Sequence, residues 1–262
     1  MGQNNSYCDL LFYVNASKTI EEPNDRPVIT PDDGNEPEKP DVTETKTGTL
    51  AFEDIWPGGG DYDMNDVIVE YNRAVSFDKK NQVTKIVDTF TPVHDGAVFA
   101  NAFAYQVDKG QFGKMTFSAT TEGIHTESAT SSIIVCPNVK QAIQKVYTIT
   151  REFTGGSFNK KDLKSYNPYI IVKYAEGQKG RTEVHLPKHE ATSLADLSLA
   201  GTQKDAYYID KEGAYPFAID IPILNFISVT EKKSIDTEYP NFKAWADSKG
   251  EKYTDWYNNH VN

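Results

Sequence analysis

The sequence predicts a mainly β protein, an antiparallel β-sandwich or jelly-roll-like domain with a short C-terminal helix. Aromatic residues, which favour strands, make up 12% of the 262 residues. Short apolar segments recur along the chain, and Gly, Pro, Asn and Asp separate them as turn residues do. Helical spacing of apolar residues is convincing in one stretch, close to the C-terminus.

The predicted strands follow one another from residue 48 to residue 186. Several of these segments alternate apolar and polar side chains, as half-buried strands do. They are residues 48–52, 67–71, 74–77, 82–92, 102–107, 113–119, 132–136, 145–154, 169–174 and 182–186. Regular short strands separated by turns are typical of a sandwich or a jelly roll.

The predicted helix covers residues 239–257 and is interrupted at Gly250. Phe242, Trp245 and Ala246 fall at helical spacing in its first half. We expect this apolar face to pack on the sandwich. A carbohydrate-stacking face is the alternative, although aromatic residues at this spacing more often join a core.

The chain divides into three parts. Residues 17–47 are rich in Pro, Asp and Glu and predict an extended linker without regular structure. Residues 1–16 contain one apolar segment, Asp9 to Val14, which reads as the remnant strand of a truncated upstream β-domain. Residues 48–262 form the predicted sandwich domain.

Charge and hydropathy argue against two classes of partner. The formal net charge is −11 and no Lys/Arg cluster could neutralise a run of phosphates, so nucleic acid is excluded. No segment approaches the ~20 apolar residues of a membrane-spanning helix. The first residues do not resemble a signal peptide, so a targeting signal is expected upstream of Met1.

The chain has two cysteines, Cys8 and Cys136, which are too few for a disulfide framework. Both lie in apolar segments, which predicts buried free thiols. A long-range bridge between them is the alternative.

The segment between residues 53 and 66 predicts a calcium site. Its D-x-D-x-N pattern at Asp61, Asp63 and Asn65 resembles runs whose alternate oxygens converge on one Ca²⁺ ion. We expect Asp66 and Glu53 or Asp54 to complete the ligand set. Gly58 to Gly60 would let the backbone curl around an ion and permit positive φ angles.

Two other interpretations of this loop remain open. In a metal-free turn, the Asp and Asn side chains would bond to the backbone. Several carboxylates so close together would then repel one another without compensation, which favours the calcium interpretation. A catalytic carboxylate pair is the other interpretation.

The same segment resembles the opening of the LruC-domain family. The similarity rests on LAFEDIWP at residues 50–57 and GDYDMNDV at residues 60–67. Later landmarks are HLP at 185–187, AIDIP at 218–222 and YPNF at 239–242, followed by Trp245, Trp256 and Tyr257. The resemblance implies a domain without established catalytic activity, in proteins that are secreted or lipid-anchored on the surface of Gram-negative bacteria.

The first residues resemble the end of another extracellular β-domain, one that carries a D-x-D-x-N-D loop. Asn4, Ser6 and Cys8 stand where that loop has its acidic ligands, which puts metal binding at this first copy in doubt. Asp9 to Val14 can also be aligned with Asp66 to Tyr71 as a faint internal repeat, for which chance similarity is the alternative.

Together these features predict a non-catalytic, calcium-binding β-module on the cell surface or secreted, which binds an extracellular glycan or protein. The alternative is a carbohydrate-active hydrolase on a β-sandwich. Such an enzyme needs two carboxylates about 5 to 9 Å apart in a cleft. Asp95, Glu122, Glu152 and Glu176 are the unassigned carboxylates that could supply them.

Overall fold

Two antiparallel sheets form the framework of the computed structural model, which describes residues 42–153, 158–163, 166–199, 208–210 and 215–261. The strands are β1 (Val42–Phe52), β2 (Val67–Phe77), β3 (Val83–His94), β4 (Ala102–Gln106), β5 (Met115–Ala119), β6 (His125–Glu127), β7 (Ser132–Cys136), β8 (Tyr147–Phe153), β9 (Asn167–Ile171), β10 (Glu183–His185) and β11 (Ala218–Ile221). The helices are α1 (Lys109–Phe112) and α2 (Phe242–Asp247), with short 3-10 turns at Val139–Gln141, Lys160–Asp162, Ile235–Thr237 and Trp256–Asn258.

The first sheet has six strands in the order β11-β1-β2-β3-β8-β5, and the second has five in the order β10-β9-β4-β7-β6. Their inner faces share one hydrophobic core. Phe90 of β3 meets Phe103 and Tyr105 of β4, with ring centroids 5.1 and 5.4 Å apart. Aromatic contacts between layers are typical of sandwich cores. The predicted fold class is therefore confirmed.

The strand boundaries differ from the prediction in several places. β1 begins at Val42, so the prediction that residues 42–47 lack regular structure is wrong. Those residues pair with β2 from Val42 opposite Phe77 to Thr47 opposite Asn72. β2 is one continuous strand where two were predicted, and β6 and β11 were not predicted as strands. The remnant strand 1–16 and linker residues 17–41 lie outside the described residues.

The C-terminal segment packs on the outer face of the first sheet. Phe242 and Trp256 join a cluster with Ala51, Ile68 and Ile219, which alternate with the inward-facing residues of their strands. The predicted helix is confirmed for its first half only, since α2 ends at Asp247. Phe242 and Trp256 are buried, so they serve as core residues.

An ion pair is also buried in the sandwich. Asp88 on β3 and Arg151 on β8 are both about 1% exposed, and Arg151 Nη2 donates to Asp88 Oδ2 at 2.9 Å. Asp88 lies between the inward-facing Ile86 and Phe90, where alternation favours an apolar residue. Burying a charge is costly unless it is paired, and the guanidinium supplies the pair.

Two further sequence expectations concern this part of the chain. Cys136 is a buried free thiol, and burial raises its pKa to about 12, whereas Cys8 lies outside the described residues. In the part of the chain that the structure describes, no helix is long and apolar enough to span a membrane.

Candidate metal centre

The acidic loop connects β1 to β2, between Phe52 and Val67, which are paired at the ends of the two strands. Tyr62 and Met64 have positive φ angles of 56° and 54°, so the backbone turns sharply at alternate residues. The expected positive φ angles at Gly58 to Gly60 are not found there. This backbone course brings the carboxylate oxygens of Glu53, Asp61 and Asp63 within 4.8 Å of one another.

Glu53 is the most deeply placed of the three, with 0% of its surface exposed. Its Oε1 accepts a hydrogen bond from the backbone N–H of Met64. Its Oε2 is buried without a hydrogen-bond partner among the described residues. A Cβ atom on Gly60 would lie 2.6 Å from Oε2, so a side chain at this position would force the buried carboxylate to shift.

The other two carboxylates of the cluster belong to Asp61 and Asp63, which flank Tyr62 in the sequence. Asp63 is 2% exposed, whereas Asp61 is exposed to solvent. Asp63 accepts from the backbone N–H of Asn65 at 3.3 Å and, through Oδ2, from the backbone N–H of Lys232 at 2.9 Å. One carboxylate of the cluster is therefore open to water, and two are not.

The other three predicted ligands have different surroundings. Asp54 Oδ2 accepts from Asn101 Nδ2 at 2.7 Å, and the Asp54 backbone N–H donates to Asp66 Oδ2 at 2.7 Å. Asn65 Nδ2 donates to the carbonyl of Val229 at 3.1 Å. The Asn65 Oδ1 atom is buried and lacks a hydrogen-bond partner in the described part of the chain.

Burial and mutual repulsion disfavour the ionised forms of the carboxylates in this loop. Burial raises the pKa of Glu53 well above its ordinary value, and the charges of Asp66, Asp63 and Asp61 raise it further. Burial, together with the charges of its acidic neighbours, also raises the pKa of Asp66 to about 7. A cation held among the carboxylates would lower the free energy of their ionised forms.

A second buried polar cluster was not anticipated from the sequence. Arg181 donates to both Glu127 oxygens at 2.7 Å and, through Nε, to Glu183 at 2.6 Å. Glu183 also bonds to His185 and Thr192. Each charge has a close partner, so we interpret this cluster as structural. No local pattern points to it, because Arg181 and Glu127 are 54 positions apart in the sequence.

Comparisons with known proteins match the chain to a family model and to a solved structure. Residues 81–257 match the family described as "Domain of unknown function (DUF4842)", and the acidic loop precedes that range. No curated protein matches the sequence. A crystal structure described as a "Putative lipoprotein" from Bacteroides ovatus matches with a TM-score of 0.61 and 18% identity, over 90% of this chain and 79% of that one. At this identity the likeness establishes the fold alone.

Proposed function

The chain belongs to the DUF4842 family, a domain of unknown function, and we propose that it is a non-catalytic, calcium-binding module of the cell surface or the secreted fraction. The calcium assignment rests on the surroundings of Glu53 Oε2. This atom is fully buried beside two further carboxylates, and no described donor bonds to it. An unpaired buried carboxylate oxygen is costly, and a cation among the three would remove that cost.

Calcium suits these ligands better than other common metals. Hard oxygen donors select Mg²⁺ or Ca²⁺ over zinc or copper, since the described cluster has neither sulfur nor imidazole. Ca²⁺ accepts six to eight oxygens in flexible geometry, whereas Mg²⁺ demands a near-ideal octahedron. Glu53, Asp61 and Asp63 would be the primary ligands, with the unpaired Oδ1 of Asn65 as the next candidate.

The proposed ion would hold the C-terminal segment on the sandwich. Lys232 bonds to Asp63, Val229 bonds to Asn65, and the backbone N–H of Ile235 donates to the Tyr62 carbonyl at 2.8 Å. Met64 is buried in the same cluster as Phe226, Val229 and Ile235. Calcium that fixes the loop would thereby stabilise the docking of residues 226–261.

No specific observation favours the hydrolase alternative. Glu53 is 0% exposed and could not reach a polymeric substrate, although it lies close to two other carboxylates. Among the unassigned carboxylates, Asp95 pairs with Lys140 at 2.7 Å. Glu122, Glu152 and Glu176 are exposed.

The role that we propose for the module is binding of an extracellular ligand, either a glycan or a protein. Two likenesses support the surface location. The structural neighbour is described as a "Putative lipoprotein", and residues 50–67 resemble the LruC-domain family. The likeness of residues 1–16 to an upstream calcium-loop domain stays a prediction. Cell fractionation of the native source, with detection of the chain at the outer surface, tests the location.

Thermal unfolding in a calcium titration tests the metal assignment. A ligand that binds only the native state stabilises by about 2.7 kcal/mol at a hundredfold excess over Kd. Extracellular calcium modules have Kd values of about 10⁻⁴ to 10⁻³ M, so the titration should reach tens of millimolar. We expect the Tm to rise with calcium and to rise less with magnesium.

The variant Asp63→Ala should lose most of this calcium-dependent rise, because it removes a buried ligand. Asp255→Ala is the matched control: Asp255 is exposed and lies outside the cluster, so the full response should be retained. If calcium leaves the wild-type Tm unchanged, or if Asp63→Ala responds fully, the metal-free turn is the correct interpretation.

A further inference from the structure

A pocket of about 300 Å³ lies directly beside the acidic loop. Asp54, Ile55 and Trp56 of that loop belong to its lining. The lining also includes Phe99 and residues of the connection between β9 and β10, among them Lys173 and Gln178. Its volume is at the lower end of the range for small-molecule sites, which suits a ligand of about one sugar ring.

Lys173 is the distinctive residue of this pocket. Its φ angle is 52°, a left-handed conformation that is uncommon outside glycine. Its ammonium group lies 3.9 Å from the centroid of the Phe99 ring, and its backbone N–H faces Asn101 Oδ1 at 3.4 Å. No acidic group among the described residues forms an ion pair with it. The Lys173 charge therefore faces an aromatic ring and has no carboxylate partner among the described residues.

The other walls combine apolar and neutral polar groups. Ile55 is 51% exposed and offers apolar surface, whereas the partly buried Phe99 ring is covered by the Lys173 ammonium. The Gln178 amide and the Thr182 hydroxyl supply neutral hydrogen-bonding groups. The one carboxylate of the lining, Asp54, is already bonded to Asn101 at 2.7 Å. The lining contains two cations, and Arg181 is already bonded to Glu127 and Glu183. It thus offers an anion the Lys173 ammonium, several neutral polar groups and a limited apolar surface.

We propose that this pocket binds a monosaccharide unit that carries a carboxylate, with Lys173 pairing with that carboxylate. A pyranose ring has an apolar C–H face for the exposed Ile55, and it has hydroxyl groups for Gln178 and Thr182. A purely apolar ligand would leave the Lys173 charge without an anionic partner. A nucleic acid carries successive phosphates, and Lys173 alone could not neutralise a run of them. This inference rests on the proposed ligand-binding function and is independent of the calcium assignment.

Calorimetric titration of the full chain with galacturonate and glucuronate, against galactose and glucose, tests the proposal. We expect the acidic sugars to bind at least about tenfold more tightly than their neutral counterparts. Lys173→Ala should lower the affinity for the acidic sugars about tenfold, and Lys173→Arg should restore part of it, since the charge is retained. Lys179→Ala, an equal charge change at an exposed residue of the same connection, should leave the affinity unchanged.

Three results would overturn the proposal: no binding of acidic sugars at millimolar concentration, equal binding of neutral and acidic sugars, or wild-type affinity in a folded Lys173→Ala variant. The calcium response of the Tm, measured on the same proteins, separates this proposal from the metal assignment. Lys173→Ala should keep that response, and Asp63→Ala should lose it. Loss of sugar binding alone therefore rejects only the pocket, and loss of the calcium response alone rejects only the metal centre.

Discussion

The backbone N–H of Lys232 donates to Oδ2 of Asp63 across 2.9 Å, although the two residues are 169 positions apart. This bond ties the C-terminal segment to the acidic loop at a carboxylate that also faces Glu53 and Asp61. One side chain thus serves both the proposed ion and the docking of the segment. Any change in the charge state of the loop should therefore alter how tightly residues 226–261 dock on the sandwich.

Hydrogen exchange should detect this connection. In calcium, the backbone amides of residues 229–239 should exchange more slowly than in a chelator, because the ion would fix the acceptors of the Lys232 and Ile235 amides. Exchange measured by mass spectrometry gives the difference for each peptide. Residues of β7, which are all buried in the second sheet, provide the internal control and should not change. Equal protection of residues 229–239 in both conditions would contradict the connection.

Two adjacent glycines of the loop form a matched pair for mutagenesis. An added Cβ at Gly60 would lie 2.6 Å from Glu53 Oε2, whereas at Gly59 the nearest atom, Tyr62 Oη, is 4.0 Å away. Gly60→Ala should therefore destabilise the fold by about 1 to 3 kcal/mol, as overpacking does. Gly59→Ala should change the free energy of unfolding by less than about 0.5 kcal/mol. Urea unfolding of both variants checks the difference, and equal stability would contradict the close approach of loop and carboxylate.

The sequence located the loop but not the direction of each side chain in it. The spacing of Asp61 and Asp63 is local, so it could be recognised without a structure. The partner of Asp54 is Asn101, 47 positions away, and a contact of that range leaves no local pattern. Consequently Glu53 and Asp54 were equal candidates in the sequence, yet only Glu53 joins Asp61 and Asp63.

Most of the predicted strands coincide with strongly buried segments, although β11, with three of its four residues buried, was not predicted. β7 consists entirely of buried residues and was predicted with its observed boundaries. β6, with the sequence His-Thr-Glu, has no apolar residue and is recognisable only through its pairing with β7. The first six residues of β1 are mostly exposed, and their strand structure depends on the pairing with β2.

Low pH should destabilise the protein through Glu183. Burial alone would raise the pKa of this carboxyl, but His185, Arg181 and Thr192 outweigh burial and lower it from 4.5 to about 2. A lowered pKa in the folded state gives stability that is complete above the unfolded value and is lost as pH falls from 4.5 towards 2. The contribution of Glu183 should therefore shrink by about 2 kcal/mol between about pH 6 and about pH 3.

Urea unfolding of wild type and Glu183→Gln at these two pH values measures that contribution. The difference in free energy of unfolding should be large at the higher pH, about 3 to 5 kcal/mol for a broken buried pair, and smaller at the lower pH. Glu152→Gln, at an exposed position on β8, should change stability by less than about 0.5 kcal/mol. If the difference in free energy of unfolding between wild type and Glu183→Gln does not depend on pH, this would contradict the ionised state of Glu183.

The most direct test of the calcium assignment is a crystal grown or soaked in calcium, with diffraction recorded at a long wavelength where the anomalous signal of calcium is strong. We predict an anomalous peak within about 2.3 to 2.6 Å of carboxylate oxygens of Glu53, Asp61 and Asp63. The same experiment on Asp63→Ala should lose the peak. Wild-type density without a peak among these three residues, at calcium concentrations of tens of millimolar, would contradict the assignment.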